Sequence, residues 1–355
     1  MSERDSVRER PGRGASWAEE REARNERRAT SEGSAAERPG RERETLRLGT
    51  RQSPMALAQS GLVAEAITAR TGCRVELVGV TTQGDVSTAQ LAQIGGTGVF
   101  VSALRDRLLA GAVDLAVHSL KDLPTGQPGG IVLAAVPRRD DPRDALVTRD
   151  GAKLADLPAG ATIGTGSPRR AAQLMLLRKD IRCVPIRGNA GTRLAKVSTG
   201  ELDAVVLAAA GLARIGRLDA ASQVFEAEDM LPAPGQGALA VECRAGHPRL
   251  ASLLAAIDDP MSRAAVQAER AVLAALEAGC SAPIGAYAAG TAERLHLEAA
   301  VIAADGRQAL RERGDAAPGA AGQLGRDVAA RLLRGGAGTL IAAPPVRTIN
   351  GKDAS

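Results

Sequence analysis

Apolar residues in this chain come in short bursts divided by glycine, proline and charge, and the bursts change period along the chain. Leu46-Arg47-Leu48 alternates as a strand does, Gly49-Thr50-Arg51-Gln52 breaks it, and Ser53-Pro54 supplies an N-cap and a first-turn proline for a helix. Met55, Leu62, Val63, Ala66 and Ile67 share one face of that helix. Val75 to Val80 predicts a second strand. Val99 to Ala110 predicts a helix stopped by Gly111, and Val113 to His118 predicts a buried strand that delivers Lys121 and Asp122 beyond its carboxyl end. Further on, Ala265, Val266, Ala268, Val272, Leu273 and Leu276 mark a long amphipathic helix over 261–278, with Gly279 placed to end it. Leu295 to Ala303 alternates as a strand, and Gln323 to Leu333 reads as a final helix. Residues 1–44 carry alternating charge and almost no large aliphatic residues. Such a segment cannot bury enough apolar surface to order itself, and disorder is expected there and in a flexible tail over 346–355.

Two stretches repeat. Leu48-Gly49-Thr50-Arg51-Gln52-Ser53-Pro54 is echoed by Ile163-Gly164-Thr165-Gly166-Ser167-Pro168, both strand, Gly-Thr loop, Ser-Pro, helix. Gly111-Ala112-Val113-Asp114-Leu115-Ala116-Val117 is echoed by Gly200-Glu201-Leu202-Asp203-Ala204-Val205-Val206. The expected fold is therefore α/β: two domains of similar design around a central cleft, plus a smaller C-terminal α+β domain. The first is expected over 45–137 and 238–257, the second over 138–237 and the third over 258–345. Ligands of open α/β sheets bind beyond the carboxyl ends of strands, which puts the site in the cleft.

Composition narrows the classes. In 355 residues no apolar run reaches the roughly 18–20 residues that a membrane span needs. The N-terminus is charged from residue 3 and shows no secretory h-region. Aromatic residues make up 1% of the chain, which removes stacking platforms for nucleic-acid bases. A net charge of +5 says less about nucleic acid than the placement of the arginines does. The four cysteines, Cys73, Cys183, Cys243 and Cys280, are far apart and form no C-x-x-C pair, so neither a zinc site nor a disulfide scaffold is expected. Reduced thiols in a cytoplasmic protein are the consistent picture.

The arginines gather where loops enter helices. Arg51 precedes one helix, Arg169 and Arg170 lie in the first turn of the next Ser-Pro helix, Arg187 and Arg193 flank Gly188-Asn189-Ala190-Gly191-Thr192, and Arg214 follows a buried strand. A first helical turn is the positive end of the dipole and a poor place for cations. Arg169-Arg170 therefore implies an anion that both guanidiniums and the helix would hold. Local Glu and Asp partners are the alternative for any one arginine; so many at equivalent positions favour an anion site. Gly95-Gly96-Thr97-Gly98 lacks the lysine and spacing of a phosphate loop, and dispersed arginines suit several carboxylates better than one triphosphate. Asp122 stands beside Lys121 at a strand end, where a carboxylate in a cationic cleft stays ionised and can stabilise a cation or move a proton. His118 reads as a half-buried strand histidine. Cys280, on a loop after a helix C-terminus, gains nothing from the dipole. It is either a small packing residue or a slow, once-only attachment thiol.

Taken in order, several segments resemble the porphobilinogen deaminase (hydroxymethylbilane synthase) family. They are Arg51-Gln52-Ser53-Pro54, Thr82-Gln83-Gly84-Asp85, His118-Ser119-Leu120-Lys121-Asp122-Leu123-Pro124, Asp141-Pro142-Arg143-Asp144, Gly188 to Arg193, Leu231-Pro232-Ala233-Pro234-Gly235-Gln236-Gly237 and Gly279-Cys280-Ser281-Ala282-Pro283-Ile284-Gly285. The resemblance runs from about Leu46 to Tyr287 and more weakly to about residue 342. It implies two domains similar to periplasmic binding proteins and a third carrying a cysteine loop. The implied reaction joins four porphobilinogens head to tail, releases ammonia, and yields the linear hydroxymethylbilane of tetrapyrrole synthesis. A dipyrromethane cofactor on Cys280 is implied, with Lys121, Ser119, Ser167, Arg169 and Arg170 around it. Asp122 is implied to stabilise the azafulvene-like cation left by ammonia. On the substrate side, Arg51, Arg187, Arg193 and Arg214 match positions that bind the acetate and propionate groups, as Arg169 and Arg170 also do, and Gln59 and Arg139 match supporting positions of the cleft. A monomer with porphobilinogen and the growing polypyrrole as partners, and no metal, nucleic acid or membrane, completes the expectation. Thr97, Gly166 and Pro168 depart from the family pattern. Two rival classes are a non-catalytic two-domain anion receptor and a nucleic-acid-binding protein.

Overall fold

A computed structural model describes residues 45–80, 98–279 and 282–342. The expected disorder of 1–44, the Thr82–Asp85 turn, Gly95 to Thr97, Cys280 and the 346–355 tail lie outside the described residues. In chain order come β1 (Thr45–Thr50), α1 (Pro54–Thr71), β2 (Arg74–Gly79), α2 (Gly98–Leu109), β3 (Leu115–Ser119) and β4 (Ile131–Ala135). The chain then forms β5 (Asp144–Thr148), β6 (Thr162–Gly164), α3 (Pro168–Leu177), β7 (Arg182–Val184), α4 (Ala190–Ser198), β8 (Ala204–Ala208), α5 (Ala209–Arg214) and β9 (Gln223–Val224). It returns with β10 (Leu239–Arg244) and α6 (Pro248–Leu254). It ends in α7 (Pro260–Ala275), β11 (Ile284–Gly290), β12 (Leu295–Ile302), β13 (Ala309–Ala316), α8 (Ala321–Arg334) and α9 (Ala337–Ala342).

Two five-stranded sheets share one plan. The first has the order β2-β1-β3-β10-β4 and the second β7-β6-β8-β5-β9. In each, three strands run parallel and the fourth is antiparallel to the third. The repeated Ser-Pro segments do the same work in both: Ser53 Oγ accepts from Ala56 N–H at 3.3 Å and Ser167 Oγ from Arg170 N–H at 3.4 Å. The repeated Asp segments match as closely. Asp114 bonds Arg47 N–H (2.8 Å) and gives its own N–H to Arg47 O (2.9 Å), while Asp203 bonds Thr162 N–H (2.7 Å) and gives its N–H to Thr162 O (3.1 Å). Each aspartate pins the entry of the third strand to the first.

α1 buries Val63, Ala66 and Ile67 against the first sheet and stops at Gly72, whose φ of 74° a residue with a Cβ adopts poorly. Met55 and Leu62, expected on the same buried face, are only partly covered. Met55 lies instead against Gly211 of α5, where a Cβ added to the glycine would sit 3.5 Å from the methionine methyl. That contact joins the two sheets' layers.

The last 80 or so described residues fold as an antiparallel sheet, β11-β12-β13, under α7 and α8. β12 alternates buried and exposed only through Glu298; from Ala299 to Ile302 every residue is buried. Ala300 and Ile302 face away from α7 and pack on Ala172 and Leu231, so α3 of the second sheet covers that face. α7 ends earlier than Gly279 would have it. Ala278 N–H reaches back to Leu273 O at 3.3 Å, and the turn this needs falls on Glu277, at φ 50°. Leu276, kept in the core, draws the chain round before the glycine is reached.

α7 and α8 cross at Gly325, where a Cβ would collide with Ala268 O and lie 2.6 Å from Ala271 Cβ. Gly325→Val should therefore lower unfolding free energy by about 2–3 kcal/mol in urea denaturation. Gly319→Ala, with nothing within 4 Å of the new Cβ, should change it by less than about 0.5 kcal/mol. Equal effects would remove the close crossing as the cause.

Candidate active site

β3 is buried from Leu115 to His118, and its carboxyl end turns through the 3-10 segment Leu120–Asp122. Fully buried Leu120 anchors that turn, and Leu123 N–H closes it on Leu120 O at 3.1 Å. This leaves Asp122 exposed, Lys121 half-buried and Ser119 half-buried. His118, expected half-buried, is buried, with Nε2 3.4 Å from Glu242 Oε2. Arg105 grips the same carboxylate through Nε at 3.0 Å and Nη2 at 2.7 Å. Glu242 sits at about 2. Burial pushes it up most, and His118 and Arg105 together outweigh that.

In the second sheet β6, the counterpart of β1, leads at its carboxyl end into α3 and its first-turn arginines. Both are buried, at 3% and 6% exposure. The anion they share is inside the protein. Asp144, at the start of β5, receives Arg170 Nε on Oδ1 at 2.9 Å and has Arg169 Nη2 2.8 Å from Oδ2. Burial is the largest influence on this carboxyl and raises it. Arg169 and Arg170 overcome that, with hydrogen bonds from Gln236 and Arg170, and hold it at about 2. Arg169 also donates to Leu231 O at 2.5 Å and Arg170 to Val206 O at 3.2 Å. Arg169 Nε is buried and has no hydrogen-bond partner among the described residues.

The two chain crossings between the sheets, 136–143 and 231–238, carry the rest. Gln236, with no exposed surface, donates to Pro142 O (2.7 Å) and Asp144 Oδ1 (2.9 Å) and accepts from Lys121 Nζ and Arg170 Nη2, each at 3.3 Å. Arg214 donates to Asp140 Oδ2 (2.9 Å) and Gly237 O (2.6 Å). Arg139 donates to Glu269 through both terminal nitrogens (2.6 and 3.0 Å) and to Gln236 O (2.8 Å), with its guanidinium 5.4 Å from the Tyr287 ring centre. Glu269 of α7 also accepts the N–H of Gly235 at 2.7 Å and of Ala288 in β11 at 2.8 Å. The third domain is thus tied to the crossing through Glu269 of α7, which also holds β11. Gly235 and Gly237 have φ of 77° and 87°. A Cβ on Gly237 would lie 2.6 Å from Asp140 O, so the crossing strands pass too closely for a side chain there.

The structure brings Lys121, Ser167, Arg169 and Arg170 into one cluster, with Arg193 close enough for Arg170 to help burial lower its pKa. Lys121 is lowered to about 8, first by burial and then by Arg170. Asp122 and Asp144 act the other way, and Arg169 adds to the lowering. Arg139 and Arg214 sit in the crossing on Glu269 and Asp140. Arg51 is half-buried at the end of β1, Gln59 is buried in α1, and Arg187 is exposed after β7. The internal carboxylates and Gln236 escaped the reading of the sequence as site residues. Asp144 and Gln236 do lie in the family-like segments Asp141–Asp144 and Leu231–Gly237, and a first-turn Arg-Arg pair is itself a signal that a buried acid is needed.

Among the described residues no group of His, Cys, Asp and Glu could hold a metal ion, and no helix is long and apolar enough to cross a membrane. Comparison with known proteins finds two family matches: "Porphobilinogen deaminase, dipyromethane cofactor binding domain" over residues 46–252, and "Porphobilinogen deaminase, C-terminal domain" over residues 263–334. The porphobilinogen deaminase of Thermobifida fusca is 62% identical over 306 residues, covering 83% of this chain and 95% of that one. Porphobilinogen deaminase 1 of Streptomyces coelicolor is 55% identical over 310 residues, covering 83% and 97%. That of Mycobacterium tuberculosis is 52% identical over 305 residues, covering 83% and 98%. Among solved structures, a periplasmic substrate-binding protein from Coxiella burnetii aligns at a TM-score of 0.39 and 16% identity over 61% of this chain and 94% of its own, too slight a likeness to decide anything. On the family matches and these relatives together, the chain belongs to the porphobilinogen deaminase family.

Proposed function

We propose that the cleft where the carboxyl ends of the two five-stranded sheets converge is the active site, and that the chain works there as a transferase. It condenses four porphobilinogens head to tail onto a dipyrromethane primer, releasing ammonia, and hydrolysis then frees hydroxymethylbilane. The observation that carries the assignment is the meeting of Lys121 from one sheet and Arg170 from the other on the single acceptor Gln236 Oε1. Cations gathered from two domains at one point suit a ligand rich in carboxylates.

The residues present suit the dipyrromethane group. Arg169 Nε is a buried donor with no acceptor among the described residues, and Lys121 is depressed by burial and by Arg170, so a carboxylate would satisfy the first and favour the charged form of the second. We assign Lys121, Ser119, Ser167, Arg169 and Arg170 to hold it, with Cys280 as its attachment thiol. When bound, the group supplies the nucleophilic pyrrole carbon to which the first substrate is joined. Asp122, exposed at the end of β3, is assigned to hold the incoming pyrrole N–H and to stabilise the positive charge left as ammonia departs. Arg51, Gln59, Arg187 and Arg193 are assigned to the carboxylates of substrate and growing chain. Arg139 and Arg214, already seated on Glu269 and Asp140, shape the same cleft from the crossing. Each addition brings two more carboxylates, so a cleft with many guanidiniums can retain the chain as it lengthens.

We divide the chain into 45–137 with 238–257, 138–237, and 258–345, a division supported by the return of β10 to the first sheet. A cytoplasmic monomer is the proposed working form; Cys73, Cys183 and Cys243 are free thiols, as a reducing compartment would keep them.

The intact protein should weigh more than its sequence by two linked pyrrole units, and Cys280→Ser should lack that excess. An unmodified chain that stays unmodified with porphobilinogen would overturn the assignment of Cys280. Asp122→Ala should keep the melting temperature of the parent and lose at least about a hundredfold in turnover; near-parental turnover removes Asp122 from the chemistry. Asp144→Asn leaves two buried guanidiniums unpaired and should cost about 3–5 kcal/mol at neutral pH. The folded carboxyl sits near 2 against an ordinary 3.8, so its stabilisation is complete above 3.8 and lost as pH falls through 2. The variant's melting temperature should accordingly change less than the parent's across that window, and parallel acid limbs would show that Asp144 carries no such linkage.

A further inference from the structure

We infer that Gln236 is a positioning residue of the cleft: its carboxamide oxygen seats Lys121 of one domain and Arg170 of the other on a common acceptor, and so sets their spacing and the pH range over which Lys121 stays charged. The inference deepens the proposed function, since it takes Lys121 and Arg170 as holders of carboxylates, but its geometry stands apart from that reading.

The amide can sit only one way. Oε1 faces two cationic donors, Lys121 Nζ and Arg170 Nη2, at 3.3 Å each. Nε2 faces two acceptors, Pro142 O at 2.7 Å and Asp144 Oδ1 at 2.9 Å. Turning it over would set N–H groups against the cations and an oxygen against a carboxylate and a carbonyl. With no exposed surface, water cannot repair such a mismatch. The backbone is held as firmly, since Gln236 O takes Arg139 Nε at 2.8 Å and Gln236 N–H closes on Ala233 O at 2.9 Å. Gly235 and Gly237, both left-handed, confine the residue between them. Gln236 thus meets the first sheet through Lys121, the second through Arg170 and Asp144, and the third domain through Arg139 and Glu269.

Neutrality is what the position requires. Lys121 is faced by Arg169 and Arg170 from the start of α3, by Asp144 from β5 and by its neighbour Asp122. An acceptor without charge steadies the ammonium and still leaves it able to take an anion. A carboxylate in its place would neutralise Lys121 and compete for the ligand; a side chain that accepts nothing would let burial and the two arginines strip its proton at lower pH.

The test reads Lys121 itself. The chain has lysines only at 121, 153, 179, 196 and 352, so protein carrying 13C-labelled lysine gives few signals, and Lys121→Arg identifies the one that matters. Full-length, cofactor-loaded protein is titrated by NMR as the parent, as Gln236→Glu and as Gln236→Met, with melting curves to confirm folding. The Lys121 midpoint should rise by about one pH unit or more in Gln236→Glu and fall by a similar amount in Gln236→Met. Opposite shifts cannot come from a general loosening of the fold. A midpoint unmoved in either folded variant, or moved the same way in both, overturns the inference. Should Gln236→Glu not fold, the sign of the shift in Gln236→Met decides alone. Turnover of porphobilinogen by the parent, measured separately, reports on the proposed function and not on Gln236.

Discussion

Asp144 lies fully buried between the guanidiniums of Arg169 and Arg170, and the geometry of the cleft follows from that pairing. Two cations in the first turn of α3 oppose the helix dipole and repel each other, while a carboxylate without water is costly alone. Together they offset one another and leave one positive charge over. Such buried ion pairs contribute little net stability against an apolar alternative, but removing one member is severe. Their effect is to fix where the guanidiniums point. The same device recurs twice in the chain crossings, with Asp140 under Arg214 and Glu269 under Arg139. Internal acids hold the arginines in place, and an external acid is needed to use the charge that remains.

The duplicated sheets explain why this happens at one spot. Each presents a Ser-capped helix after the first of its parallel strands and a short helical segment after the third, and the clamps of Asp114 and Asp203 keep those strands in the same register. Facing the carboxyl ends of both sheets toward the crossings puts Lys121 opposite Arg169 and Arg170. The third domain adds to this from outside: Glu269 binds the crossing at Gly235 and Arg139, and Ala300 and Ile302 pack on α3 behind its arginines.

Much of this is legible in the residues alone. Ser53-Pro54 and Ser167-Pro168 are local signals, and local signals survive folding; both are caps in the structure. The two Gly-x-x-Asp echoes are legible for the same reason. What the arginines bind is not, because their partners are remote in sequence. Arg139 and Glu269 are 130 residues apart, and Arg170 and Gln236 are 66 apart. The sequence leaves both an external anion and nearby acids open for Arg169 and Arg170. The structure supplies an internal acid, Asp144, and still leaves Arg169 Nε without a partner among the described residues. The end of α7 departs from its sequence signal because a core contact at Leu276 outranks the glycine that follows it. Met55 departs because a second domain, invisible to helical periodicity, takes that side chain.

The most direct measurement is a crystal structure of the cofactor-loaded protein at a resolution that orients guanidiniums. If internal acids hold the arginines ready, Arg170 Nε remains on Asp144 Oδ1 and Arg169 Nη2 on Oδ2, while carboxylates of the cofactor occupy Lys121 and Arg169 Nε. Guanidiniums swung off Asp144 onto the cofactor, with the aspartate left to other partners, would contradict the account.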